Sequence, residues 1–261
     1  MGVFKLLKSL LFILIISSVT FGCASVKGPS PEHDPFESYN RAMFSFNDAF
    51  DKAILKPVAA AYKNYVPEPI QTGVSNFFSN IGDIFVILND LLQGKFAQAR
   101  DDSVRFIMNT IFGVFGIFDV ATYMDLPKHN EDFGQTLAVW GVSDGPYLVL
   151  PFLGASTLRD TAGLIVDAQV DPILDITDDE ARYATLALKT VDTRARLLGA
   201  SNVLDKAAFD RYAFMRDAYL QRRQFLIHDG SPPKDENSQP KPSVNSAEDQ
   251  LLEDDLEKAL Q

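Results

Sequence analysis

Residues 36–53 read FESYNRAMFSFNDAFDKA, and Phe36, Tyr39, Met43, Phe46, Phe50 and Ala53 recur in them at spacings of three and four. Arg41, Ser45, Asp48 and Lys52 fall between. Such spacing predicts an amphipathic helix with its apolar residues on one side. Lys56-Pro57 marks its expected end, because the residue before a proline is driven out of the helical region. A Pro67-Glu68-Pro69 turn follows, and then helical patterns over 72–81, 83–93 and 95–111. The fold class expected is mainly α.

Toward the N-terminus, residues 24–35 are polar and carry Pro29, Pro31 and Pro35, the composition of a tether. Before them lie Lys5 and Lys8, the apolar run LLFILIISSV from Leu10 to Val19, and Thr20-Phe21-Gly22-Cys23. A basic start, a short apolar run and a small residue before a cysteine have the order of a lipoprotein signal peptide. The run is too short for a good membrane span. Residues 1–22 are therefore expected to be removed and Cys23, the single cysteine, to be acylated. Ser25 after Ala24, with no aspartate there, resembles lipoproteins sent to the outer membrane. One cysteine also excludes an internal disulfide framework.

Toward the C-terminus, residues 133–152, FGQTLAVWGVSDGPYLVLPF, are broken by Gly and Pro and predict irregular chain or a small hairpin. Thr157 with Asp160 matches a capping box for a helix stopping near Asp171-Pro172. Thr177 with Glu180 matches another, for a helix to Gly199. A third long helix is expected from Ser201 or Asn202 to Gly230. Its Arg211, Arg216, Arg222 and Arg223 suit a helix C-terminal dipole. Residues 231–261 turn to Pro, Ser, Asn and acid and are expected to be mostly disordered. Leu251, Leu252, Leu256 and Leu260 share one helical side there, open to a partner-binding helix or a frayed tail.

The formal charge of −11 lacks the cationic excess that nucleic acid requires. Loss of Lys5 and Lys8 with the leader would take it to −13, so anionic lipid offers no attraction and membrane attachment must come from acyl chains or apolar surface. Histidines at 33, 129 and 228 form no metal-binding spacing, and no nucleotide-binding motif is present. No cofactor is expected. Gly141-Val142-Ser143-Asp144-Gly145 is a literal G-x-S-x-G, with Asp167 or Asp171 and His228 downstream in hydrolase order. Pro146 and an extended YLVLP follow it, however, where a nucleophile elbow needs a helix.

The densest apolar stretch is 106–118, FIMNTIFGVFGIF. At 13 residues it has the length of either a buried helix or a re-entrant segment. Gly113 and Gly116 favour a hairpin over a continuous helix. Phe112, Phe115, Ile117 and Phe118 are its candidate functional residues, with Gly113 and Gly116 supplying the bend.

Taken in order, these segments resemble the MlaA (VacJ) family of outer-membrane lipoproteins. The resemblance rests on Asp34-Pro35-Phe36-Glu37, Tyr39-Asn40-Arg41, Phe46-Asn47, Lys56-Pro57-Val58-Ala59 and Tyr65-Val66-Pro67. It continues through Leu92-Gln93-Gly94, Asn109-Thr110, Phe118-Asp119-Val120-Ala121 and Glu131-Asp132-Phe133-Gly134-Gln135-Thr136-Leu137. Trp140-Gly141-Val142, Gly145-Pro146-Tyr147 and Leu158-Arg159-Asp160 complete it, over about residues 34–228. The chain would then be an MlaA-like helical domain over 36–230. Membership implies a ring-like bundle of amphipathic helices around an amphipathic channel, on the periplasmic side of the bacterial outer membrane. It implies a non-enzymatic lipoprotein that removes mislocalised phospholipids from the outer leaflet and passes them to a periplasmic carrier, maintaining outer-membrane lipid asymmetry, with Phe112, Phe115, Ile117 and Phe118 gating or lining the lipid route. Its implied partners are a trimeric porin and a periplasmic carrier protein that feeds an ABC transporter. The rivals are an envelope hydrolase using Ser143 and a porin-associated structural lipoprotein.

Overall fold

The opening helix forms where its periodicity places it. A computed structural model describes residues 34–207 and 210–231, and there α1 spans Glu37–Phe50. The chain does not stop at Pro57. A π-helical turn, Asp51–Leu55, passes directly into α2, Lys56–Tyr65. Pro57 thereby falls in the first turn of α2, where its missing N–H costs little. The expected helices at 72–81 and 83–93 are one helix, α3, Glu68–Gln93. Gly94 at φ 76° closes it in the left-handed conformation.

Helix α4, Phe96–Ile111, lies against α3, and a 3₁₀ turn follows at Ala121–Met124. The stretch 133–152 contains both a helix and a strand. Asp132 accepts a hydrogen bond from Gln135 N at 2.9 Å and so opens α5, Phe133–Val139, in spite of Gly134. Strands β1, Tyr147–Leu150, and β2, Gly154–Thr157, form the antiparallel hairpin, with Leu150 opposite Gly154.

Thr157 caps α6, Leu158–Asp167, by accepting from Asp160 N, as its capping box predicts. For α7, Asp179–Ala207, the cap is Asp178, which accepts from Ala181 N at 2.8 Å, and not Thr177. This helix runs through Gly199, where an interior glycine costs only about 1 kcal/mol. The last helix, α8, starts at Arg211 and not at Ser201 or Asn202, because Asp210 caps it, and ends at Ile227.

Two small apolar cores pin these elements. Ala59, Ala195 and Leu198 join α2 to α7, small side chains allowing close approach. Tyr147, Val149 and Tyr212 join the hairpin to α8, with Met43 and Phe44 of α1 against them. The free edge of β1 is satisfied by two asparagines of α1 seven residues apart. Asn40 donates to Tyr147 O and accepts from Val149 N, both at 2.9 Å. Asn47 donates to Leu150 O and accepts from Phe152 N. Edge groups that would otherwise be orphaned are thus paired without a third strand.

The packing order closes on itself. Helix α1 packs on β1, β2 on α8, α8 on α5, α5 on α3, α3 on α7, α7 on α2, and α2 returns through the π turn to α1. Among the described residues no helix is long and apolar enough to cross a membrane. Cys23, residues 24–33 of the expected tether and the tail after Ser231 lie outside the described residues, whereas Asp34, placed in the tether by its composition, is fully buried and accepts from Asn40 Nδ2 at 2.8 Å.

Candidate functional site

The site is built from helices whose polarity is reversed. On α3 the buried side chains include Asn80, Asp83 and Asp90, at i, i+3 and i+10, while Ile84, Leu88 and Leu91 are exposed. On α4 the buried ones are Asp102, Arg105 and Asn109 with the small Ala99, while Val104, Ile107 and Ile111 are exposed. Among the described residues, 18 polar or charged side chains are buried against 11 hydrophobic ones. That ratio is the opposite of a water-soluble core, where charged groups are almost never fully buried.

Burial on this scale requires partners, since an unpaired buried polar group costs about 1–3 kcal/mol. They come from a return segment, 119–131, that runs back along α4. Asn109 accepts from Ala121 N at 2.9 Å and donates to Asp119 at 3.0 Å. Arg105 donates to Leu126 O at 2.6 Å and to both Asp119 oxygens at 3.1 Å. Asp102 meets His129 Nδ1 at 2.6 Å, Asp83 pairs with Lys128, and Glu131 with Lys95 at 2.9 Å. Asn89, Thr136 and Gln93 continue the ladder to α5.

A second network ties α5, α6 and α8. Arg223 donates to Asp132 at 2.5 and 3.0 Å and to Asp160 at 2.8 Å. Tyr219 Oη donates to Asp160 at 2.7 Å, and Arg159 links Asp160 to Asp144. Burial alone would push the Asp132 carboxyl up, but Arg223 holds it below the usual carboxylate range. Gly134 and Gly163 make this approach possible, since a Cβ on Gly163 would lie 2.5 Å from Gly134 N. The late arginines are therefore long-range ion-pair partners more than dipole partners: Arg211 reaches Asp48 and Arg216 reaches Asp34.

Asp90 stands apart. It is fully buried, and neither carboxylate oxygen has a hydrogen-bond partner among the described residues. Burial, with Asp102 and Glu131 nearby, pushes it up to about 7.

Between α3, residues 128–135, α6 and α8 lies a cavity of about 590 Å³. Its wall mixes Asp83, Lys128, Asp167, Asp171, Arg222 and Arg223 with Val86, Leu164, Leu174 and Leu226. Polar and apolar groups share one lining, as an amphiphile requires.

The candidate residues of 112–118 sit together at the reversal between α4 and the return segment. Val114, Phe115 and Gly116 have φ of 53°, 57° and 85°. A Cβ at Gly113 would lie 2.1 Å from Phe118 O, and one at Gly116 2.5 Å from Asn80 Cβ, so both sites require glycine. Phe118 N donates to Gly113 O and Asn76 to Ile117 O. The reversal is fixed in shape, yet Phe112, Phe115, Ile117 and Phe118 are all exposed.

The hydrolase residues are not assembled. Ser143 lies in an exposed loop before β1, His228 at the C-cap of α8 has Nδ1 against Gln224 O, and Asp167 accepts from Phe133 N. No hydrogen bond joins Ser143, His228 and either aspartate among the described residues. Nor do those residues hold a group of three or more His, Cys, Asp or Glu that could bind a metal.

A mainly helical frame, with buried ionic side chains and exposed aliphatic ones on α3 and α4, sets the class of fold to which the chain belongs. The model of the MlaA lipoprotein family matches residues 32–226, and the chain belongs to that family. It is 37% identical over 248 residues to the intermembrane phospholipid transport system lipoproteins MlaA of Shigella flexneri and Escherichia coli K12, covering 92% of this chain and 96% of each of them. The Haemophilus influenzae protein of the same name is 33% identical over 240 residues, 89% of this chain and 96% of its own. A solved structure described as "Structural basis for maintenance of bacterial outer membrane lipid asymmetry" superposes with a TM-score of 0.66 at 36% identity, covering 74% of this chain and 98% of its own.

Proposed function

We propose that this chain is an outer-membrane lipoprotein that takes phospholipids misplaced in the outer leaflet and passes them, chemically unchanged, to a periplasmic carrier. The observation that carries this reading is the inverted side-chain distribution: isoleucines and leucines on the outer faces of α3 and α4, aspartates and arginines within. A charged head group in hydrocarbon costs several kcal/mol. A polar-lined passage beside an apolar face removes much of that cost while the acyl chains stay in lipid.

In this reading the closed circuit of elements is a ring seated in the inner leaflet, anchored by acyl chains on Cys23 through the 24–35 tether. Beside it stands a trimeric porin, and the receiving carrier feeds an ABC transporter that supplies the energy. Phe112, Phe115, Ile117 and Phe118 form the lipid-facing edge of the route, with Gly113 and Gly116 holding its bend. The experiment is to delete the gene, restore it on a plasmid, and label surface-exposed amino-phospholipid on intact cells. Deletion is expected to raise the labelled fraction, and the wild-type gene to lower it again. Gly113→Pro and Phe115→Asp are expected to fail while the acylated protein accumulates normally. Unchanged surface labelling on deletion would defeat the reading.

A further inference from the structure

Of the cationic side chains that line the cavity between α3, α6 and α8, one is left without a partner among the described residues. Three cationic side chains line it: Lys128, Arg222 and Arg223. Lys128 is taken by Asp83, and Arg223 by Asp132 and Asp160. Arg222 has no ion pair or hydrogen bond among the described residues. Helix α8 offers it none, because the positions three and four away are Tyr219, Ala218, Phe225 and Leu226, with no carboxylate. Tyr219 and Leu226 line the same cavity, so the stripe of α8 that bears Arg222 faces it.

We propose that Arg222 holds the phosphodiester of a glycerophospholipid in this passage, an assignment that rests on the lipid-transfer reading above. A guanidinium presents a planar fork of donors that matches two phosphate oxygens at once, and an unpaired one is ready to make that contact. Leu164, Leu174 and Leu226 in the same wall suit the glyceride end of such a molecule. Asp167 and Asp171 also line the cavity, and they disfavour a second negative charge. A singly charged phosphodiester is therefore selected over a free phosphate dianion, and over a glyceride that has no phosphate.

The test uses the full-length acylated protein, purified in detergent and stripped of lipid. It is equilibrated with mixed micelles holding equal phosphatidylethanolamine and diacylglycerol of the same acyl chains, and bound lipid is quantified by mass spectrometry. Wild-type protein is expected to take the phospholipid preferentially. Arg222→Gln is expected to cut that preference about tenfold, the loss of a charge-assisted hydrogen bond, while Arg222→Lys keeps part of it. Thermal melting should be the same for all three, since Arg222 has no ion pair or hydrogen bond among the described residues to lose. A large excess of inorganic phosphate should leave the bound phospholipid in place. If the wild type takes up neither lipid, the lipid-transfer reading itself fails. If it takes up phospholipid and Arg222→Gln keeps the same preference, the Arg222 assignment alone is overturned. Displacement by inorganic phosphate would mark a general anion site and overturn the selectivity for a diester.

Discussion

Two corners of the molecule are stabilised on opposite principles. Where the β-hairpin meets α1 and α8, Tyr147, Val149 and Tyr212 are buried among Met43, Phe44 and Leu220, as in any protein that folds by removing apolar surface from water. On α3 and α4 the buried groups include Asn80, Asp83, Asp102, Arg105 and Asn109 beside Phe78, Val86 and Ala99, while Ile84, Leu88, Val104, Ile107 and Ile111 are exposed. The first corner is stabilised by water's exclusion. The second is held by paired charges and hydrogen bonds and leaves its apolar face for another medium. One chain thus carries an apolar clamp and an ionic one whose aliphatic side chains stay exposed.

The sharpest way to break the polar interior is Arg223→Met. It removes the cation shared by Asp132 and Asp160 and is expected to cost about 3–5 kcal/mol, read as a collapse of the thermal transition in detergent. Next in size is Ile107→Asp on the outer face of α4. It should leave that transition unchanged but weaken binding to phospholipid vesicles by about 3 kcal/mol, measured by flotation. Equal effects on melting and flotation would mean that Ile107 packs inside.

In the water-built corner, Asn40→Ala would leave Val149 N–H and Tyr147 C=O unpaired on the free edge of β1. A loss of about 1–3 kcal/mol is expected, the same in detergent as in vesicles. The smallest effect has the opposite sign. Asp90 binds its proton more tightly folded than unfolded, with its value pushed up to about 7 against an ordinary value near 3.9. Stability is therefore fully present below about pH 4 and falls as pH rises through 7. Asp90→Asn is expected to raise stability at pH 8 by roughly 1–2 kcal/mol and to flatten the dependence between pH 5 and 8. A variant less stable at pH 8 than the wild type would show that the carboxylate is charged and satisfied.

What the sequence made legible was local. The spacing from Phe36 to Ala53 gave α1, Thr157 with Asp160 gave the start of α6, and Gly113 with Gly116 gave the reversal after α4. Pro57 and Gly199 misled because a π turn and an interior helix absorb them. Helix α5 was hidden because its start depends on Asp132, a cap that also pairs with Arg223, 91 residues away in sequence. The reversed faces of α3 and α4 were hidden for a deeper reason. A polar stripe at i and i+3 has the same periodicity whether it meets water or the interior, so the pattern shows that two faces differ without saying which is inside. Only the partners at Lys128, His129 and Asp119, reached through an irregular return segment, decide it. The signal available was the excess of Asp, Asn and Arg at helical spacing, with no compensating apolar core between them.

The central claim is that the outward aliphatic face of α3 and α4 lies in hydrocarbon while the α8 corner faces water. It is tested by placing one fluorophore at Ile107→Cys or at Asp217→Cys in full-length acylated protein on vesicles. Quenching by lipids brominated on their acyl chains is then compared with quenching by aqueous iodide. The expected result is strong bromolipid quenching and iodide protection at position 107, with the reverse at position 217. Iodide access at both positions, with no bromolipid quenching at 107, would contradict the account.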